Sequence, residues 1–147
     1  ARFPSSLDPR LSSRWISAIT FATQVVSLPV SPLLTASLTS SLTSPPSVTS
    51  VLDNILPPSL TKAWYSKALQ HESPLVSFLA SIFLLASLQK ASQILAVISD
   101  SSNRLEEVAS VGRWASLATR LRDHLRSILP DPQTVVALMQ KTAVVVP

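Results

Sequence analysis

The run Leu75–Leu88, LVSFLASIFLLASL, limits what this chain can fold into more than any other stretch. Residues 51–70 before it read as short, more polar helical pieces, and Ser73-Pro74 forms a tight corner between the two. From Pro74 to about Ser99 the pattern is helical but apolar on nearly every side. A surface helix carries one apolar stripe, so a helix that is apolar all round has to be covered all round. Stacked antiparallel helix pairs supply that cover, because each inner helix is held between its own partner and the neighbouring pairs. The expected fold class is all-α, a HEAT/armadillo-like α-solenoid segment. Folds of that kind hold partners rather than turn over substrates.

The composition agrees with such a segment and removes other classes. One glycine, Gly112, leaves no material for phosphate-cradling loops or tight hairpins, whereas twelve prolines cut the chain into segments. Hydrophobic residues make up 46% and charged residues 14%, against about 25% charged in an ordinary soluble domain. Part of the apolar surface is therefore expected to meet something outside this sequence. The chain starts at Ala1 and ends in Val144-Val145-Val146-Pro147, so residues 1–147 read as one helical-repeat segment of a longer protein. A Ser/Thr/Pro-rich loop covers 28–50 within it. The absence of cysteine excludes disulfides and thiolate chemistry. A formal charge of +4 fits an acidic partner without naming one.

A membrane-spanning reading meets two obstacles. A span needs about 20 predominantly apolar residues, and Lys90 inside the longer run costs about 2.5–3.5 kcal/mol on insertion scales. A buried core helix is the preferred reading, with no membrane partner.

Along the chain, Asp8-Pro9 is expected to cap and open a first helix to about Ser27, with Leu11, Trp15, Ala18, Ile19, Ala22, Val25 and Val26 on its apolar side. Leu33, Leu34, Leu38 and Leu42 offer a short docked turn as the alternative to plain loop. Further helices are expected over Ser47 to Leu56 and from Ser59 to Gln70, with Leu60, Trp64 and Leu69 inward. Asp100-Ser101-Ser102-Asn103 is expected to break the chain before an amphipathic helix over about 104–129, which Gly112 bends. On that helix Val111, Trp114, Leu117, Ala118, Leu121, Leu125 and Ile128 share one side, and Arg104, Arg113, Arg120, Arg122, Asp123 and Arg126 share the other. Asp131-Pro132 opens a last helix to about residue 143.

Catalytic, cofactor-binding and metal-ligating residues are not expected. His71 and His124 lie far apart without local ligand spacing. His71 reads as a corner residue bonded to backbone, and His124 as a solvated one. Glu106 and Glu107 point about 100° apart on a helix and form no carboxylate pair. No positioned base accompanies the many serines, and Ser31, Ser44 and Ser73 each precede proline. The candidate contact residues are Arg113, Arg120, Arg122 and Arg126, whose guanidinium forks suit phosphates or carboxylates equally. They read as a solvated face, an RNA contact or a protein dock. No aromatics interleave with them, which disfavours base stacking. Trp15, Trp64 and Trp114 all fall on apolar stripes and read as core.

Three blocks, RWISAITFATQVVSLPV (14–30), NILPPSLTKAWYSKALQHESPLVSFLASIFLLASLQK (54–90) and LRSILPDPQTVVALMQK (125–141), resemble the fungal nucleolar pre-ribosomal-associated protein 1 family. The NILPPSLTK turn, the QH-x-SPLV corner and the LPDPQT junction carry the likeness. Ser77 stands where such corners commonly have a basic residue, which counts against an RNA contact there. The resemblance implies a nucleolar scaffold in early large-subunit ribosome assembly. It also implies work beside assembly factors that include a DEAD-box helicase, and association with pre-rRNA. The rival expectation is a generic HEAT-like adaptor, in transport or a coat, with no RNA connection and no small-molecule substrate in either case.

Overall fold

The computed structural model describes residues 7–30, 45–104 and 112–144. These hold six helices and no strand: α1 (Ser13–Ser27), α2 (Val48–Ile55), α3 (Lys62–Leu69), α4 (Pro74–Arg104), α5 (Arg113–Ile128) and α6 (Pro132–Ala143). The all-α class is thus as the sequence implied. The hydroxyl-capped starts are local chemistry. Ser12 Oγ accepts from the Trp15 N–H, Ser47 Oγ from Ser50 and Thr61 Oγ1 from Trp64, each at 3.2 Å. Each bond satisfies one of the amides that the first helical turn leaves unpaired.

Two expected starts move. Asp8-Pro9 does not open α1, because the Asp8 carboxylate pairs with Lys67 at 2.6 Å and Ser12 takes the cap. Leu11 consequently lies before the helix and is 61% exposed rather than on its apolar stripe. Thr61 replaces Ser59 as the cap of α3, since the Leu60 N–H first closes a turn onto the Pro57 carbonyl.

The larger correction concerns the chain after Ser99. Asp100–Asn103 does not break the helix; α4 runs on to Arg104, 31 residues in all. Ile98 is 1% exposed and Ser101 4%, and the Ser101 hydroxyl donates back to the Val97 carbonyl at 3.0 Å. Burial outweighs the weak helix preference of Ser, Asp and Asn. Ser81 and Ser87 use the same back-bond, to Ser77 and Phe83, so this apolar helix carries serines without stranded hydroxyls. Gly112 is not a bend within one helix but the N-cap residue of α5, which begins at Arg113. Arg104 therefore belongs to α4. Val111, Glu106 and Glu107 lie outside the described residues, as do Leu33, Leu34, Leu38, Leu42, Ser31 and Ser44.

The core forms around α4. It packs most extensively on α1, then on α5 and α3, with a smaller contact to α2; α2 also meets α5, and α3 meets α6. Trp15, Trp64 and Trp114 are all buried in one hydrophobic cluster with Ile19, Phe83 and Leu121. Both Trp15 Nε1 (3.0 Å) and Trp64 Nε1 donate to the Leu7 carbonyl. Two indoles from different helices thus hold the segment before α1. His71 is the corner residue expected of it: its Nδ1 accepts from the Ser73 N–H at 3.0 Å, and its carbonyl accepts from Ser77 Oγ and Lys141 Nζ. Lys90, the charge within the long apolar helix, donates to the Leu28 carbonyl at the C-terminal end of α1. Cations are favoured at that end of a helix.

Cover of α4 is not complete. Leu75, Phe78, Ile82, Leu85 and Leu88 remain 39–60% exposed. Cover exists where α1, α2, α3 and α5 pack on α4, and the flank carrying those five residues is left open within this chain. By length and composition α4 is a helix that can cross a membrane, with 44% of its most apolar window buried inside the protein. Val76, Ala80, Phe83, Ile94 and Ile98 are committed to that interior.

Tyr65, the only tyrosine, is fully buried beside Trp64 and Phe83, with ring centroids 5.0 and 6.4 Å away. Its hydroxyl has no hydrogen-bond partner among the described residues. Burial pushes the phenol up to about 12, with nearby Ser87 acting the other way. The Ser87 proton is already given to the Phe83 carbonyl at 2.8 Å, so it offers a phenolate little. A raised phenol pKa means stability fully present below the unfolded value near 10 and lost as pH climbs through about 12. Phenolate absorbance should consequently appear only with alkaline unfolding. Tyr65→Phe should remove that pH dependence and raise neutral-pH stability by about 1 kcal/mol, because an unpaired buried hydroxyl costs about 1–3 kcal/mol. A phenolate titrating near pH 10 in the folded protein would contradict this.

Candidate docking surface

The exposed flank of α4 is not a random scatter of apolar side chains. Helical residues three, four and seven apart lie along one side, and Phe78, Leu85 and Ser92 recur at seven, as do Ser81, Leu88 and Leu95. The same side of α4 forms the floor of two troughs. One, about 490 Å³, lies between α4 and α6 and is lined by Pro74, Phe78, Ser81, Leu138, Met139 and Lys141 among others. The other, about 310 Å³, lies between α4 and α5, where Leu88, Ser92 and Leu95 face Leu125, Arg122 and Arg126. At ~1.5 Å per residue, the floor from Pro74 to Leu95 runs about 30 Å. On α6, Val136 and Met139 are 50% and 64% exposed, and no residue of α6 is fully buried.

The four arginines singled out from sequence are all exposed on α5, but they do not share one face. At about 100° per residue, Arg113 and Arg120 fall on one edge of the buried Trp114–Leu117–Leu121–Leu125 stripe, and Arg122 and Arg126 fall on the other. Only Arg122 and Arg126 border the trough against α4. Arg126 lies 3.7 Å from Asp123, with both side chains largely in solvent, an arrangement of small energetic consequence. His124 is exposed, its Nδ1 3.1 Å from the Arg120 carbonyl. Neither trough is lined by an acidic side chain. Among the described residues no three His, Cys, Asp or Glu side chains group as a metal site.

Sequence reading missed the apolar floor because a helix apolar on every side gives no periodic contrast between its covered and open flanks. The seven-residue recurrence of Phe78 and Leu85, and of Leu88 and Leu95, was the available signal. Met139 and Val136 on a short amphipathic helix were a second.

No family model and no solved structure matches the chain. Nucleolar pre-ribosomal-associated protein 1 of Saccharomyces cerevisiae is 30% identical over 87 residues, 59% of this chain. The matched segment spans 5% of that relative's length, so the relationship is distant and partial.

Proposed function

We propose that this chain is part of a non-enzymatic helical scaffold acting in early nucleolar assembly of the large ribosomal subunit. The observation that carries the reading is the 30% identity over 87 residues to a yeast protein named as nucleolar and pre-ribosomal-associated. The open apolar flank of α4 beside exposed arginines supports it from the physical side, since a scaffold works by what it holds. In this reading further helices of a HEAT-like array adjoin those described. The polar faces and the Ser/Thr/Pro-rich stretch over 28–50 receive assembly factors, a DEAD-box helicase among them. Pre-rRNA is a further partner, with Arg113 and Arg120, the edge of α5 turned away from the trough, as its place.

The test is affinity purification of the tagged full-length protein from nuclear extract. Enrichment of early large-subunit precursors is the expected result. Their consistent absence, with recovery of transport or coat components instead, would sink the assembly reading in favour of a generic adaptor. Salt-sensitive crosslinks to pre-rRNA at Arg113 or Arg120 are expected in the same material.

A further inference from the structure

The open flank of α4 has the form of a helix-binding groove. Its exposed residues Leu75, Phe78, Ile82, Leu85 and Leu88 occupy an arc of about 140° at ~100° per residue. On one side of the arc stand α6 and α5, which line the two troughs. On the other side Lys90 reaches α1. A floor about 30 Å long at ~1.5 Å per residue matches some 20 residues of helix. Helix-in-groove recognition uses anchors at three-, four- and seven-residue spacing, which is the spacing the floor presents.

Charge decides among occupants. The groove is bordered by Arg122 and Arg126 at the α5 end and by Lys141 at the α6 end, with no acidic side chain lining either trough. A second copy of this chain is a poor fit. Antiparallel pairing of two floors would set the arginine end of one against the lysine end of the other, and parallel pairing would set arginines against arginines. Like charges across an interface are repulsive. RNA supplies the opposite charge, but its bases bind by stacking on aromatic rings, and the floor offers one such ring, Phe78, among aliphatic side chains. We infer that the groove along α4 takes an amphipathic helix of a partner protein, with its apolar stripe on Phe78, Leu85 and Leu88 and its acidic residues beside Arg122 and Arg126. The partner would be an assembly factor if the scaffold reading above holds. The groove and its charge preference do not depend on that context.

The experiment uses the whole 147-residue chain and two synthetic helical peptides read by fluorescence anisotropy. Both peptides carry leucines at heptad spacing. One has glutamates flanking the stripe, and the other has lysines at the same positions. The glutamate peptide should bind at least about tenfold more tightly, a ratio worth one decade in Kd. Phe78→Ser with Leu85→Ser should abolish binding while the thermal transition stays in place. Arg122→Glu with Arg126→Glu should reverse the order of the two peptides, a result that a misfolded variant does not give. Equal binding of both peptides, no binding of either, or a preference unmoved by the arginine reversal would overturn the proposal. Concentration-dependent dimerisation lost with Phe78→Ser would also overturn it, as would binding of anionic phospholipid vesicles through the same floor in the absence of peptide uptake. Recovery of ribosomal precursors bears only on the assembly reading, so the two ideas fail separately.

Discussion

Trp64→Ala should be among the most destabilising single changes in this protein, costing about 3–5 kcal/mol for the lost aromatic packing. Trp64 is 8% exposed, with its ring edge-on to Tyr65 at 5.0 Å and to Phe83 at 6.0 Å. It therefore joins α3 to α4 at the centre of the core. Its Nε1–H also meets the Leu7 carbonyl, a bond worth about 1 kcal/mol net. Trp15 donates to the same oxygen, so the carbonyl keeps a partner when Trp64 is removed, and its desolvation cost does not add. Domains of this size hold about 5–15 kcal/mol in total, so the variant sits near the threshold for folding. Urea unfolding followed by circular dichroism is the measurement, with Trp64→Phe as the graded control. Trp64→Phe retains a ring and loses the N–H, so it should cost clearly less than the alanine change. Equal stability of wild type and Trp64→Ala would mean that α3 is not docked on α4 through this ring.

Much of the interior is legible in the sequence alone. Trp15, Ile19, Ala22 and Val26 on α1, and Trp114, Leu117, Leu121 and Leu125 on α5, recur at helical spacing against polar opposite faces, and all are buried. Asp131-Pro132 marked the start of α6 correctly, although Asp131 bonds Lys62 at 2.6 Å instead of capping with its side chain. What failed shares one cause, in that local rules were outvoted by contacts distant in sequence. Asp8 looked like a cap but is taken by Lys67, 59 residues on. Asp100-Ser-Ser-Asn looked like a break but is carried through by the burial of Ile98 and Ser101. The candidate arginines were grouped by type. Their split into two edges follows from the angle between positions 120 and 122, which was available from the sequence. The apolar floor of α4 is less legible. The seven-residue recurrence of Phe78 with Leu85 is matched by that of the buried Val76 with Phe83, and nothing in the two phenylalanines as residues tells which meets protein.

That ambiguity gives the sharpest remaining contrast in the molecule. Phe78 and Phe83 are the same side chain on the same helix, five positions apart, and are 60% and 0% exposed. Phe83 lies 24° from parallel with the Tyr65 ring at 6.4 Å and 73° from the Trp64 ring. Phe83→Ala should cost about 3–5 kcal/mol, because the cavity is walled by rings that have nowhere to collapse. Its cost should also be non-additive with Trp64→Ala, since touching residues couple by about 0.5–3 kcal/mol. Phe78→Ala should fall within about 0.5 kcal/mol of wild type, as substitutions away from packed features do. It should nevertheless weaken whatever binds the floor. The pair measured side by side in urea separates an open flank from a covered one. If Phe78→Ala proved as damaging as Phe83→Ala, the Phe78 flank of α4 would be packed within this chain after all, and the groove would not exist. If Phe83→Ala proved harmless, α4 would not be the helix around which the core is organised.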